Sequence, residues 1–223
     1  MDLEIVKKIK VVAFDFDGVI ADSNRLKRNA WFQIFPESLN IKHEEIQEIL
    51  DFKGGETRFV ILREIFTKKG ITNEKEIESF VNEYAQKFDE RVQGGAIFMP
   101  EVEEILPRLA SQVILYINSA TPTESLCAIV KKMGIIHYFK DVLGNPGTKN
   151  TESKKDNLRL ILELEKVTPE ELLFIGDHQI DRAAAEAIGC QFLGVPNEFN
   201  KWSEEMGFFL LPHFSMIESY LKN

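Results

Sequence analysis

Four short apolar runs constrain this chain more than any other feature. They are KVVAFDF at Lys10–Phe16, VILYINS at Val113–Ser119, LLFIGD at Leu172–Asp177 and CQFLGV at Cys190–Val195. Each is rich in Val, Ile, Leu and Phe, and each turns polar or glycine-rich at its end. A strand with one wet face alternates apolar and polar residues. A continuous apolar run suits a strand buried on both faces, hence a parallel sheet covered by helices. Helical patterns lie between the runs. Val102–Leu109 precedes the second, and Thr123–Met133 follows it and stops at Gly134, as a helix C-terminal glycine would. Asn157–Leu164 precedes the third, and Arg182–Ile188 passes through three alanines to Gly189. Weaker strands are expected at Asp141–Gly144 and Phe208–Leu211. The alternation predicts an α/β, doubly wound parallel-sheet core of the Rossmann-like kind.

One region breaks this alternation. From Asp22 to about Gly95 the helix-period stretches are Leu26–Phe35, Glu44–Leu50, Thr57–Lys68 and Glu74–Val92, punctuated by Gly54-Gly55 and Gly94-Gly95. We read a helical cap at 22–96, inserted into a core formed by 1–21 and 97–223, with the chain re-entering near Phe98-Met99-Pro100. A chain of 223 residues has room for both.

Composition removes several function classes. A net charge of −9 argues against a nucleic-acid partner, while leaving room for a local basic pocket. Cys127 and Cys190 are too far apart for a CxxC site and read as buried free thiols in a reducing compartment. The first ten residues lack the apolar stretch of a signal peptide, and no run approaches the roughly 18 apolar residues of a membrane span. The expectation is a soluble cytoplasmic protein, monomer or homodimer, acting on a small molecule.

In an open parallel sheet, ligands bind where strands end. The ends here are Asp15-Phe16-Asp17-Gly18, Asn118-Ser119-Ala120-Thr121 and Gly176-Asp177-His178-Gln179-Ile180-Asp181, with Ser153-Lys154-Lys155 before the strand that ends in Asp177. Two carboxylates about 4 Å apart repel by roughly 4 kcal/mol at an effective dielectric near 20. A cluster of Asp15, Asp17 and Asp177 must therefore take up protons or hold a cation. All-oxygen ligation suits Mg²⁺. Taken singly these residues read more blandly. Asp181 is a candidate helix cap, Ser119 a turn serine, and Ser153 with Asp156 a capping box around solvated lysines.

Together, DFDGV at Asp15–Val19, INSAT at Ile117–Thr121, Lys154 and GDHQID at Gly176–Asp181 resemble the haloacid dehalogenase superfamily. FMPEVEEILPRL and AAAEAIGC resemble that family's connecting helices, so the likeness runs along nearly the whole chain. The resemblance implies that Asp15 attacks phosphorus and becomes an aspartyl-phosphate. It implies that Asp17 protonates the leaving alcohol, later deprotonates water, and offers its backbone carbonyl to Mg²⁺. Ser119, with Ala120 beside it, and Lys154 would hold the phosphoryl oxygens; Lys155 is the alternative lysine. Asp177 would ligate the metal, and Asp181 would act on it indirectly or through water. His178 stands where the family commonly has a small residue and reads as an exposed turn residue, with a substrate contact as the alternative.

Asp17 points to the phosphatases and phosphomutases of the family. Mutases of the β-phosphoglucomutase type carry a histidine twelve residues beyond the nucleophile, and Lys27 stands there instead. A signalling receiver domain also uses an acidic pocket, but it needs about half this length and no insertion after the first strand. A catalytically dead binding module is a third reading, although no motif residue is missing. Cap size and helical content resemble the phosphoglycolate phosphatase-like branch. In the cap, Phe52-Lys53-Gly54-Gly55-Glu56-Thr57-Arg58 resembles the loop that faces the active site in related phosphatases and would read a small phosphorylated metabolite through Lys53, Gly54 and Arg58. An interhelical turn with solvated charges is the alternative, and Arg25 and Arg28 are then the further candidates.

Overall fold

Val11–Phe14 forms β1, and all four residues are buried. Their side chains alternate between faces, as a strand requires. Val12 and Phe14 join one apolar cluster while Val11 and Ala13 join another on the opposite side. This is the physical meaning of the unbroken apolar run. Each large side chain so buried contributes about 1.5–3 kcal/mol. The computed structural model describes residues 8–92, 97–146 and 152–222. The expected Gly94-Gly95 boundary and the start of the chain lie outside them.

The remaining strands are β2 (Ile114–Pro122), β3 (Asp141–Asn145), β4 (Leu172–Gly176), β5 (Gln191–Gly194) and β6 (Phe209–Leu210). They form one six-stranded sheet in the order β3-β2-β1-β4-β5-β6, and every pairing is parallel. The chain fills one side of β1 first and the other side afterwards, so the order reverses beside β1. Phe14 pairs with Ile117 of β2 and with Ile175 of β4. Asp15, Ser119 and Asp177 therefore lie within a residue of one level, at the switch point where such sheets bind ligands.

Helices cover both faces. Leu158 and Ile161 of α7 (Ser153–Glu165) and Ala184 and Ala185 of α8 (Gln179–Ile188) pack on Val11 and Ala13. The small residues of α8 let it lie close, as the alanine run predicts. The other face receives α5 (Val102–Ala110), α6 (Thr123–Lys132) and Ile217 of α9 (Met216–Leu221).

The insertion consists of α1 (Asn24–Trp31), α2 (His43–Lys53), α3 (Arg58–Lys68) and α4 (Glu74–Val92). Thr57 starts α3, its hydroxyl accepting the Val60 amide at 3.4 Å. Trp31 stacks on Tyr84 at 3.8 Å between ring centres, tying α1 to α4. Entry and exit segments run side by side: the Asp22 amide donates to the Ile97 carbonyl at 2.8 Å and Met99 to Ile20 at 3.0 Å. No helix among the described residues is long and apolar enough to cross a membrane.

Candidate active site

The first residue beyond β1 is Asp15, whose amide still donates to Ile175 of β4 at 2.8 Å. Its Oδ1 accepts the Phe16 amide at 2.8 Å, and its Oδ2 lies 2.9 Å from Lys154 Nζ. Lys154 sits in the first turn of α7 and also bonds Asp181. Asn118 fixes that turn. Its amide donates to the Lys154 carbonyl at 2.9 Å, and its oxygen accepts the Asn157 amide at 3.0 Å. Ser119 is buried beside it, its hydroxyl accepting the Thr121 amide at 3.1 Å.

Asp17 faces the insertion instead. Its carboxylate accepts the Ser23 hydroxyl at 2.5 Å and the Thr121 hydroxyl at 3.3 Å, and pairs with Lys27 of α1. Gly18, with φ 77°, turns the chain just after the two acids. A Cβ there would lie 2.1 Å from Asp177 Oδ2, so glycine alone permits this approach.

Asp15, Asp177 and Asp181 offer oxygens that all lie within 4.8 Å of one another, and all three residues are buried. Burial pushes Asp15 up to about 6; Lys154 opposes the rise, and the charges of Asp181 and Asp17 add to it. Burial also raises Asp177 well above the usual carboxylate range, reinforced by Asp15 and Asp181. Burial opposes the charge on Lys154, but Asp15 and Asp181 outweigh it and hold that lysine protonated. For Asp17, burial is outweighed by Lys27, Ser23 and Lys154, and the net direction is down. A cavity of about 140 Å³ lies over these groups. Asp15, Asp17, Ser119, Lys154 and Asp177 line its core side; Lys27, Trp31, Arg58 and Tyr84 line its cap side.

A family model described as haloacid dehalogenase-like hydrolase matches residues 12–195. The chain belongs to that family. Curated relatives of this haloacid dehalogenase-like chain include the phosphoglycolate phosphatase of Salmonella typhi, 26% identical over 214 residues, covering 87% of this chain and 84% of the relative. That of Photorhabdus laumondii is 26% identical over 205 residues, covering 90% and 86%. A structure described as a predicted phosphoglycolate phosphatase from Haemophilus somnus 129pt shares the fold, with a TM-score of 0.78, 19% identity and coverage of 96% and 98%. CbbY from Rhodobacter sphaeroides, solved with xylulose-(1,5)bisphosphate, does so with a TM-score of 0.73, 18% identity and coverage of 93% and 95%. The protein is a haloacid dehalogenase-like phosphatase.

In this phosphatase the acid cluster fits a metal ion. Three buried carboxylates face one buried ammonium, which leaves surplus negative charge in a site whose donors are all hard oxygens. Burial raises Asp15 and Asp177, and the charges of the neighbouring carboxylates add to the rise.

Several expectations need correction. Lys53 does not line the cavity; it pairs with Glu64 at 2.8 Å, while Gly54 and Arg58 do line it. His178 is half-buried rather than an exposed turn residue. Its ring lies so close to Gly55 that a Cβ there would meet it at 2.7 Å, and burial lowers its pKa to about 4. It also caps α8 reciprocally with Asp181, each accepting from the other's end of the turn. Asp181 therefore lies inside the first turn of α8 rather than at its cap. The Ser153–Asp156 capping box does not form, because α7 begins at Ser153, whose hydroxyl accepts the Asn145 amide at 3.2 Å. Lys155 pairs with Glu152, leaving Lys154 facing the acids. Arg25 pairs with Glu198 and does not line the cavity, whereas Arg28 pairs with Asp51 and does line it. The two cysteines are unbridged and partly rather than fully buried.

The sequence reading passed over Asn24 and the pair Asn197 and Asn200, all of which reach Asp177. The available signal was the fifth strand end, Val195-Pro196-Asn197-Glu198-Phe199-Asn200, which lies on the same rim. Lys27, which in the sequence marks only the absence of the mutase histidine, pairs with Asp17.

Proposed function

We propose that this phosphatase hydrolyses a small phosphomonoester with Mg²⁺, through an aspartyl-phosphate (an acyl phosphate) formed on Asp15. The observation that carries the reading is the opposed setting of two acids two residues apart. Asp15 lies beside Lys154 among the clustered carboxylates, while Asp17 lies toward the cap, where a leaving alcohol would be. Asp15, Asp177 and the Asp17 backbone carbonyl would hold the metal, with Asp181 behind them on Lys154. Bound there, Mg²⁺ would neutralise phosphoryl charge and keep Asp15 ionised.

In the first step an Asp15 oxygen bonds phosphorus and the bond from phosphorus to the alcohol oxygen breaks, that oxygen taking a proton from Asp17. In the second step Asp17 takes a proton from water as the water oxygen bonds phosphorus. The bond from phosphorus to Asp15 breaks and the carboxylate returns. Asp17 rests ionised beside Lys27, the form the second step needs. Its proton for the first step can arrive with the monoanionic ester, since phosphate monoesters lose their second proton near pH 6. Ser119, Ala120 and Lys154 would hold the phosphoryl oxygens.

Residues 22–96 would act as the cap that selects the alcohol. Arg58 supports an anionic alcohol. It is buried, lines the cavity, and its Nη2 is the one buried side-chain polar atom among the described residues without a hydrogen-bond partner. An unpartnered buried guanidinium nitrogen is costly, and a carboxylate or second phosphate would satisfy it. The phosphoglycolate named for the curated relatives and the bisphosphate bound by CbbY are both esters of that class.

The test is a panel of phosphorylated metabolites followed by rapid quenching with the best substrate. A base-labile phosphate should appear on the peptide carrying Asp15, and the Asp15→Asn protein should show neither adduct nor turnover. Substantial hydrolysis by Asp15→Asn would overturn the reading.

A further inference from the structure

Asp177 is gripped from two sides. Its Oδ2 accepts the side-chain amide of Asn24 at 2.7 Å and that of Asn197 at 2.8 Å. No hydrogen bond among the described residues reaches its Oδ1. The backbone carbonyl of Asp177 accepts from Asn200 Nδ2 at 2.8 Å, and the same nitrogen donates to the Val195 carbonyl at 2.8 Å.

The loop bearing these asparagines is organised by its own side chains. Asn197 Oδ1 accepts the amides of Phe199 and Asn200 at 2.8 and 3.0 Å, and Asn200 Oδ1 accepts those of Asn197 and Trp202, each at 3.1 Å. Turns of this kind set an asparagine amide in one direction. Asn24, by contrast, belongs to the cap, as the first residue of α1. The same helix touches the loop twice more. Arg25 forms a two-pronged pair with Glu198 at 2.6 and 2.7 Å, and Arg28 stacks on the Phe199 ring at 4.2 Å.

We infer that Asn24 and Asn197 are positioning residues for Asp177, fixing it by one oxygen so that the other is presented to the cation, and that seating of α1 thereby sets cation affinity. The inference rests on the reading of Asp177 as a magnesium ligand. Neutral amide donors suit the task because they restrain the carboxylate without cancelling its charge. Groups that orient a ligand in this way typically carry ten- to hundredfold of metal affinity.

The experiment titrates the full chain with magnesium chloride, without substrate, following calorimetric heat and the fluorescence of Trp31 and Trp202. Native protein should bind and Asp177→Ala should not. Asn24→Ala removes only the cap donor. Asn197→Ser removes the amide but keeps a hydroxyl able to accept the loop amides. Each should raise the Kd for Mg²⁺ by about ten- to a hundredfold, with the metal-free melting temperature unchanged. Affinities within twofold of native in both variants would overturn the inference while leaving the magnesium reading intact. So would a fall in metal-free melting temperature with affinity unchanged, since that marks a purely structural role. Weakening in Asn197→Ser alone would overturn the part assigned to the cap. Absence of binding in native protein, or unaltered binding in Asp177→Ala, would overturn both readings together.

Discussion

The core rim and the cap wall face each other across one cavity and treat their charges differently. On the rim, Asp15, Lys154 and Asp181 are buried and paired with one another. On the cap wall, Lys27 reaches across to Asp17, Arg28 pairs with half-exposed Asp51, and Arg58 keeps an unpaired nitrogen. The rim has surplus negative charge and fits a cation; the wall carries Lys27, Arg28 and Arg58 against Asp51 and Glu56. A phosphoester with an anionic alcohol complements this pair of surfaces. Damage to the rim should therefore cost the reaction with every ester, and damage to the wall only with some.

The sharpest division of this kind concerns Asp17, which touches both sides. Asp17→Asn should lower hydrolysis of alkyl phosphates by roughly 10² to 10⁴. An aryl ester with a good leaving group needs no acid in its first displacement, so single-turnover phosphorylation should suffer less with it. Equal slowing for both esters would assign Asp17 to the rim alone.

Burial of the rim carboxylates, with their mutual repulsion, sets the next effect. Asp15 is raised to about 6, against 3.8 in the unfolded chain, and Asp177 shifts in the same direction. A raised carboxyl binds more protons folded than unfolded. Metal-free protein is thus favoured at low pH, and this contribution is lost as pH rises through about 6. Mg²⁺ at a hundredfold excess over its Kd should return about 2.7 kcal/mol, a rise of several degrees in melting temperature. The rise should be larger at pH 8 than at pH 5 and vanish in Asp177→Ala. Scanning calorimetry with and without chelator checks this, and equal shifts at the two pH values would count against the acid cluster as the binding site.

The smallest effects belong to the cap. Arg58→Ala should lower kcat/KM by about ten- to a hundredfold for an ester with an anionic alcohol, the worth of one hydrogen bond to a charged group. A plain aryl phosphate should be nearly unaffected. Lys53→Ala removes only a half-exposed pair with Glu64 and should change both substrates little. Proportional losses on both substrates for Arg58→Ala would make it a packing residue over the rings of Tyr84 and Phe88.

Residues that hold the rim were legible because each follows a strand whose burial is written in its own few residues. Asp15 follows VVAF, and Asp177 follows LLFIG. Lys154 was legible from its place before β4, although α7 begins earlier than its apolar pattern suggests, tied down by Asn118 and Asn145 from β2 and β3. His178 was misjudged because its burial comes from Gly55, more than a hundred residues earlier in the chain. Lys53 and Arg58 were not separable by sequence, since both are basic residues beside the same glycine pair.

By itself the sequence determined the doubly wound sheet, the run of helices after β1 and the acids at the strand ends, because strand burial and helix periodicity are local properties of consecutive residues. Tertiary structure alone decided which cation faces the cavity, which is spent on Glu64, and which amides grip Asp177. Those outcomes depend on what the cap helices and the loop after β5 find opposite them, and contact partners distant in sequence leave no pattern in either segment alone.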